Sequence, residues 1–170
     1  LLSPWGSGFV YVRRELIARL SPPVTGWMAF EGTDDFTRLT SYHDTLRGDA
    51  RRFELITLPY QEFAGMNASL ELVHELGVHR IAEHLRTLHA PVLDWADRTG
   101  VRVSSPRGVR GTGILCLAPP EVDRAFRALK AARIICSLRE GAIRLSPHAY
   151  NTVAEMERVV EVLDGECVRA

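Results

Sequence analysis

The segment from Gly113 onward constrains the fold most, because strand-type and helix-type patterns alternate there with turn signals between them. Gly113-Ile114-Leu115-Cys116-Leu117-Ala118 is a short apolar run of the kind that forms a buried strand. Pro119-Pro120-Glu121 opens a helix, since proline is tolerated in a first turn, and Val122, Phe126 and Leu129 form its apolar stripe. Arg133-Ile134-Ile135-Cys136-Ser137-Leu138 reads as a second strand, Arg139-Glu140-Gly141 as a tight turn, and Ala142-Ile143-Arg144-Leu145-Ser146 as a third strand. Thr152 and Glu155 have the spacing of a capping box, which starts a helix carrying Met156, Val159, Val160 and Leu163. The order β-α-β-β-α predicts a small α/β layer with helices over a mainly antiparallel sheet.

Upstream, helix dominates from Gln61 to Asp97, broken at Gly77. Val78, Ile81, Leu85, Leu88, Val92 and Trp95 fall on one face of its second half. Pro91 is placed to kink it, and Gly100 supplies a stop before a short strand at Val101-Arg102-Val103. Near the start, Phe9-Val10-Tyr11-Val12 reads as a buried strand and Arg13–Ala18 as a short helix or turn. From Ser21 to Phe53 the signals are irregular, punctuated by Pro22-Pro23, Gly26, Gly32 and Gly48-Asp49. So long a stretch without periodicity is most often functional or partner-facing. The division expected is 1–60, the end of a larger domain; 61–98, connecting helices; and 99–170, a small C-terminal domain.

Charge excludes more than it suggests. The 170 residues carry 21 basic and 21 acidic side chains, so nothing global draws the chain to nucleic acid or to an anionic membrane surface. Arg107, Arg110, Arg124, Arg127 and Arg133 are interspersed with acids. No apolar run reaches the roughly 18 residues a membrane span needs. Cys116, Cys136 and Cys167 match no zinc or redox spacing and read as reduced thiols of a cytoplasmic protein. His43, His74, His79, His84, His89 and His148 show no paired metal-ligand spacing, so no metal is expected. Of the basic residues only Lys130 is a lysine, and its place on the helix after Pro120 reads as a solvated face.

Four segments together carry a resemblance. They are Leu2-Ser3-Pro4-Trp5-Gly6-Ser7-Gly8-Phe9-Val10-Tyr11-Val12-Arg13, Pro23-Val24-Thr25-Gly26-Trp27, Arg52-Phe53-Glu54 with Thr57, and Ile143-Arg144-Leu145-Ser146-Pro147-His148-Ala149-Tyr150-Asn151-Thr152. In order and separation they resemble motifs of the class V aminotransferases, a group of pyridoxal-phosphate enzymes that includes cysteine desulfurases, isopenicillin N epimerase-like proteins and kynureninases. The resemblance implies an α/β fold, the C-terminal part of a fold type I pyridoxal-phosphate-dependent transferase. It places the Schiff-base lysine just before Leu1, so this chain would be the C-terminal half of an enzyme acting at the Cα of an amino acid, inactive by itself. A homodimer with pyridoxal 5'-phosphate as cofactor is implied, with the irregular stretch and the first long helix as dimer contacts.

The same resemblance implies roles for particular residues. Arg144 would bind the substrate carboxylate, which suits a planar guanidinium fork. Pattern alone reads it as an ordinary strand arginine, facing opposite to Ile143 and Leu145. Trp27 would line the substrate pocket or simply pack its loop. Thr57 would donate to the cofactor phosphate, although Ile56 stands where the family has glycine, and Ser7 and Gly8 would pass close to the cofactor. Arg52 and Glu54 read as a structural pair flanking a buried Phe53, and His148 could approach the pocket. The connection ahead of the Arg144 strand is only Arg139-Glu140-Gly141, and Cys136 reads as lying within a strand, so a sulfur-carrying loop cysteine, and with it a desulfurase, is not expected. The competing reading is a non-catalytic α/β binding or regulatory module that never had the lysine.

Overall fold

The computed structural model describes residues 2–38, 40 and 44–167; His43 lies outside them, as does the side chain of Cys167. The described chain separates into two compact units that divide between Val73 and His74.

The second unit is built as the alternating pattern predicts. Helix α3 (Val78–Thr99) begins after Gly77, whose φ of 83° is left-handed, and ends at Gly100 in the αL conformation. The helix runs through Pro91 without interruption. Strands β1 (Arg102–Val103), β2 (Leu115–Ala118), β3 (Ser137–Arg139) and β4 (Ala142–Leu145) form one antiparallel sheet in the order β1-β2-β4-β3. Helices α4 (Val122–Ala131) and α5 (Val153–Cys167) complete the unit. Glu140 and Gly141 both take positive φ, as a two-residue hairpin between β3 and β4 requires.

Alternation along the strands decides what enters the core. Leu115 and Leu117 of β2 and Ile143 and Leu145 of β4 are buried together with Leu88, Val92 and Trp95 of α3, Leu129 of α4, and Met156, Val159 and Leu163 of α5. The indole of Trp95 is fully buried, and its N–H donates to the Asp164 carboxylate at 3.0 Å.

The second strand is shorter than its composition suggests. Arg133 adopts φ 61°, and backbone hydrogen bonds from Ala132, Arg133 and Ile134 back to Ala128, Lys130 and Leu129 close the end of α4. The chain therefore reaches the sheet only at Ser137, and Ile135 is fully exposed. Cys136 thus lies in the connection before β3, not within a strand as its apolar neighbours suggested.

The capping box forms as the spacing predicts. The Thr152 N–H donates to Glu155 Oε2 at 2.7 Å, and the Glu155 N–H donates to Thr152 Oγ1 at 3.3 Å. The backbone hydrogen bond from Thr152, then the Asn151 side chain, hold the Glu155 carboxyl below its ordinary value of 4.5. A depressed carboxyl contributes stability that is present above its unfolded value and is lost as pH falls through its folded value. Glu155→Gln is expected to flatten the acid limb of the stability profile below about pH 4.5, measured by urea unfolding at several pH values. An unchanged acid limb would show that this cap contributes nothing to it.

In the first unit, Phe9-Val10-Tyr11-Val12 does not form the buried strand expected. It enters no ladder, and Phe9, Val10 and Tyr11 stay exposed. A strand needs partners for its N–H and C=O groups, and among the described residues the only β-pairing outside the named strands is a bridge between Phe30 and Leu46. Helix α1 (Arg14–Ile17) and helix α2 (Tyr60–Leu76) flank the irregular stretch. A buried arginine that the sequence did not single out organises this stretch. Arg47 donates to the Met28 carbonyl at 2.7 Å, to Asp34 Oδ2 at 2.8 Å and to Thr33 Oγ1 at 2.8 Å.

Candidate functional site

Arg144 sits on the face of β4 opposite the core. Its cross-strand neighbours are Cys116 of β2 and Ser137 of β3, both small, so the long side chain has room above the sheet. It is half-buried, makes no ion pair among the described residues, and its Nε–H is buried without an acceptor. A buried donor left unsatisfied costs about 1–3 kcal/mol, so such a group is poised to gain from an incoming acceptor.

The arginine lines an open groove of about 800 Å³ in the second unit. The walls come from the Arg133–Ser137 connection, from the end of β4 through Pro147, and from the start of α5. Tyr150 and Asn151 line it as well, and the His148 ring stacks on Tyr150 with centroids 5.9 Å apart. The turn carrying these residues is tied down from two sides. His84 Nε2 on α3 is 3.0 Å from the Asn151 carbonyl, and Asn151 Oδ1 accepts the His148 N–H at 2.9 Å. Glu155 is the groove's acidic group, and its carboxylate is already engaged in the cap of α5. Cys136 also lines the groove, with burial pushing its thiol above the ordinary value of 9.0 and Lys130 opposing that shift. One of the two grounds that set a sulfur-carrying cysteine aside therefore falls, since this thiol is off the strand and beside the Arg144 groove; the other, the tight turn before β4, stands.

Trp27, Thr57, Ser7 and Gly8 belong to the first unit. Gly26 packs so closely on Leu55 that a Cβ there would collide with the Leu55 backbone. Only glycine permits this approach, which brings the Trp27 loop against the segment leading to Thr57. Trp27 is partly exposed and meets Phe36 edge-on with centroids 5.7 Å apart. The Thr57 side chain is exposed, with no hydrogen bond among the described residues, and its hydroxyl is a donor of the kind a phosphate takes. The Ser7 hydroxyl donates to the Pro4 carbonyl at 3.0 Å, and a Cβ at Gly8 would meet nothing within 4 Å. Gly26→Ala is expected to cost about 1–3 kcal/mol, because the obstruction is backbone rather than a flexible side chain. Thermal unfolding checks it; a wild-type midpoint would mean the two segments separate without cost.

Arg52 and Glu54 form no pair. Arg52 instead donates to the Ile17 carbonyl at 2.7 Å, fastening the turn Ala50–Phe53 to the end of α1, and Phe53 is only half-buried. Lys130 is exposed on α4, with Nζ 5.7 Å from the centre of the Phe126 ring. Among the described residues no cluster of histidine, cysteine or carboxylate side chains could hold a metal ion, and no helix is long and apolar enough to cross a membrane.

Comparisons with known proteins show the family and the fold. YcbU, an uncharacterized aminotransferase of Bacillus subtilis, is 29% identical over 168 residues, covering 99% of this chain and 43% of its own length. A probable cysteine desulfurase of Pseudomonas putida is 31% identical over 179 residues, covering 96% of this chain and again 43% of its own. The chain thus spans less than half the length of these relatives. Among solved structures, the apo cysteine desulfurase of Thermococcus onnurineus NA1 superposes with a TM-score of 0.74 at 22% identity, over 94% of this chain and 42% of that one. The fold is that of the C-terminal α/β part of a fold type I pyridoxal-phosphate enzyme. The Aminotransferase class-V profile matches residues 1–123, well over half of the sequence, and the chain belongs to that family.

Proposed function

We propose that this chain supplies the substrate-anchoring half of a pyridoxal-phosphate-dependent enzyme acting at the Cα of an amino acid, within a homodimer. The observation that carries the reading is Arg144, an unpaired arginine with a buried, unpartnered Nε–H in a groove whose one carboxylate is engaged elsewhere.

When bound, pyridoxal phosphate supplies an electron sink that makes loss of a group at Cα feasible. The chain's own contribution is positioning. Arg144 grips the substrate carboxylate through parallel N–H donors, which fixes the direction of the Cα bonds. The Asn151 turn, held by His84 and by the α5 cap, forms the wall beside it. Thr57 is the residue here best suited to hold the cofactor phosphate, since its hydroxyl is free to donate. Ser7 and Gly8 would contribute to holding the cofactor, Ser7 releasing the Pro4 carbonyl to do so. Trp27 is the aromatic side chain of the first unit that would serve a substrate pocket. Lys130, exposed on α4 beside the Phe126 ring, is not offered as the lysine that would carry the cofactor. Reconstituting the intact protein with pyridoxal phosphate and screening amino acids by cofactor absorbance tests the reading. No spectral response to any amino acid would overturn it.

A second reading is favoured by Cys136. A thiol lining the same groove as Arg144 suits sulfur transfer from cysteine, as in a desulfurase, whereas its raised pKa disfavours the reactive thiolate. Cys136→Ala separates the two. Transamination is expected to persist within about twofold, since a small half-buried side chain is removed. Loss of a cysteine-dependent sulfide release, with other amino acids unaffected, would favour the desulfurase.

A further inference from the structure

A second, smaller cavity in the C-terminal unit lies between one face of α3 and the connection from β1 to β2. Its volume is about 200 Å³, the size of a ligand of a few heavy atoms. Leu85 and Leu93 of α3 and Leu115 of β2 give it an apolar floor, while Arg86 and Arg107 stand among its polar groups. Among the described residues no aspartate or glutamate lines it. Arg107 is already held by Asp97, its Nη1 lying 2.7 and 2.9 Å from the two carboxylate oxygens. Arg86 makes no ion pair among the described residues. Gly113 lets the connection approach α3 closely: a Cβ there would come within 3.2 Å of Leu85 Cδ1.

His89 gives the cavity its chemistry. It lines the cavity, is only 6% exposed, and its Nε2 is buried without a partner among the described residues. Burial holds the ring below the ordinary histidine value of 6.5, while a hydrogen bond to the Gly113 backbone opposes the shift. The ring is therefore neutral at pH 7. Nε2 is a buried ring nitrogen without a partner among the described residues, able to hydrogen-bond a hydroxyl, which both donates and accepts.

We propose that this cavity binds a short aliphatic hydroxycarboxylate, its carboxylate on Arg86, its hydroxyl hydrogen-bonded to His89 Nε2, and its carbon chain on Leu85, Leu93 and Leu115. One unpaired guanidinium matches one negative charge, and the apolar floor disfavours a strongly hydrated oxyanion such as phosphate. The site does not depend on the function proposed for the Arg144 groove.

Calorimetric titration of the intact protein with 2-hydroxybutyrate, butyrate and inorganic phosphate tests it. Saturable binding of 2-hydroxybutyrate is expected, about tenfold or more weaker in Arg86→Ala and unchanged in Arg144→Ala. Butyrate, lacking the hydroxyl, is expected to bind about tenfold more weakly. Arg86 is an exposed helix residue, so its variant folds. Three outcomes would overturn the assignment: no saturable heat, phosphate binding as well as 2-hydroxybutyrate, or binding that Arg144→Ala abolishes and Arg86→Ala leaves intact. The last would place the ligand in the substrate groove instead.

Discussion

Replacing Arg144 by methionine is expected to raise KM for the amino-acid substrate roughly 10- to 150-fold, with kcat reduced less. The range follows from losing a charged hydrogen-bonded clamp of about 1.5–3 kcal/mol. A carboxylate grip acts on bound substrate before and during reaction, so most of its loss enters KM. Some loss in kcat is expected because the grip also orients Cα. Methionine keeps the stem that packs above Cys116 and Ser137 and deletes the buried Nε–H that has no acceptor. Stability should therefore hold or rise while substrate affinity falls. Steady-state kinetics of the intact enzyme with a parallel melting curve decide the matter. An unchanged KM combined with a large drop in melting temperature would show that the guanidinium serves the fold and not the substrate.

Trp95→Ala is expected to remove about 3–5 kcal/mol of stability, the range for deleting a large aromatic from a packed core. The indole is fully buried where α3 and α5 meet, and its N–H ties to Asp164. A domain of ordinary stability, about 5–15 kcal/mol, loses a large fraction of its margin. Trp95→Phe retains most of the packing and gives up one hydrogen bond, so a loss of about 1–2 kcal/mol is expected. Urea unfolding of both variants measures the contrast. Equal effects would mean that the hydrogen bond, not the filled volume, sets the contribution of this residue.

The second unit was legible from sequence because its helices and strands contain their own partners. The Trp95 face of α3, the Thr152–Glu155 cap and the outward alternation of Arg144 all follow from local period and spacing. Where a partner or a backbone turn decided the outcome, composition misled. Ile134-Ile135-Cys136 has strand composition, yet the left-handed turn at Arg133 delays the sheet until Ser137. Phe9–Val12 has strand composition too, but it pairs with no strand among the described residues.

The candidate site divides the same way. Arg144 could be singled out by motif and by strand parity. The contact of Gly26 with Leu55 could not, because those residues are brought together by a loop with no period. Arg47 carried no signal at all, being one arginine among many. Its three side-chain partners, Met28, Thr33 and Asp34, all lie more than ten residues away. The Arg52–Glu54 expectation failed for a related reason: sequence neighbours of opposite charge lost out to the Ile17 carbonyl.

The strand lengths in the second unit bear on solubility. Its outermost strands, β1 and β3, are two and three residues long, too short to template a cross-β stack. Phe9, Val10 and Tyr11 lack that protection, presenting uncovered side chains in a run of high β-propensity. Aggregation of this polypeptide, wherever those residues go uncovered, is thus expected to nucleate at its N-terminal end and to leave the C-terminal sheet as a bystander.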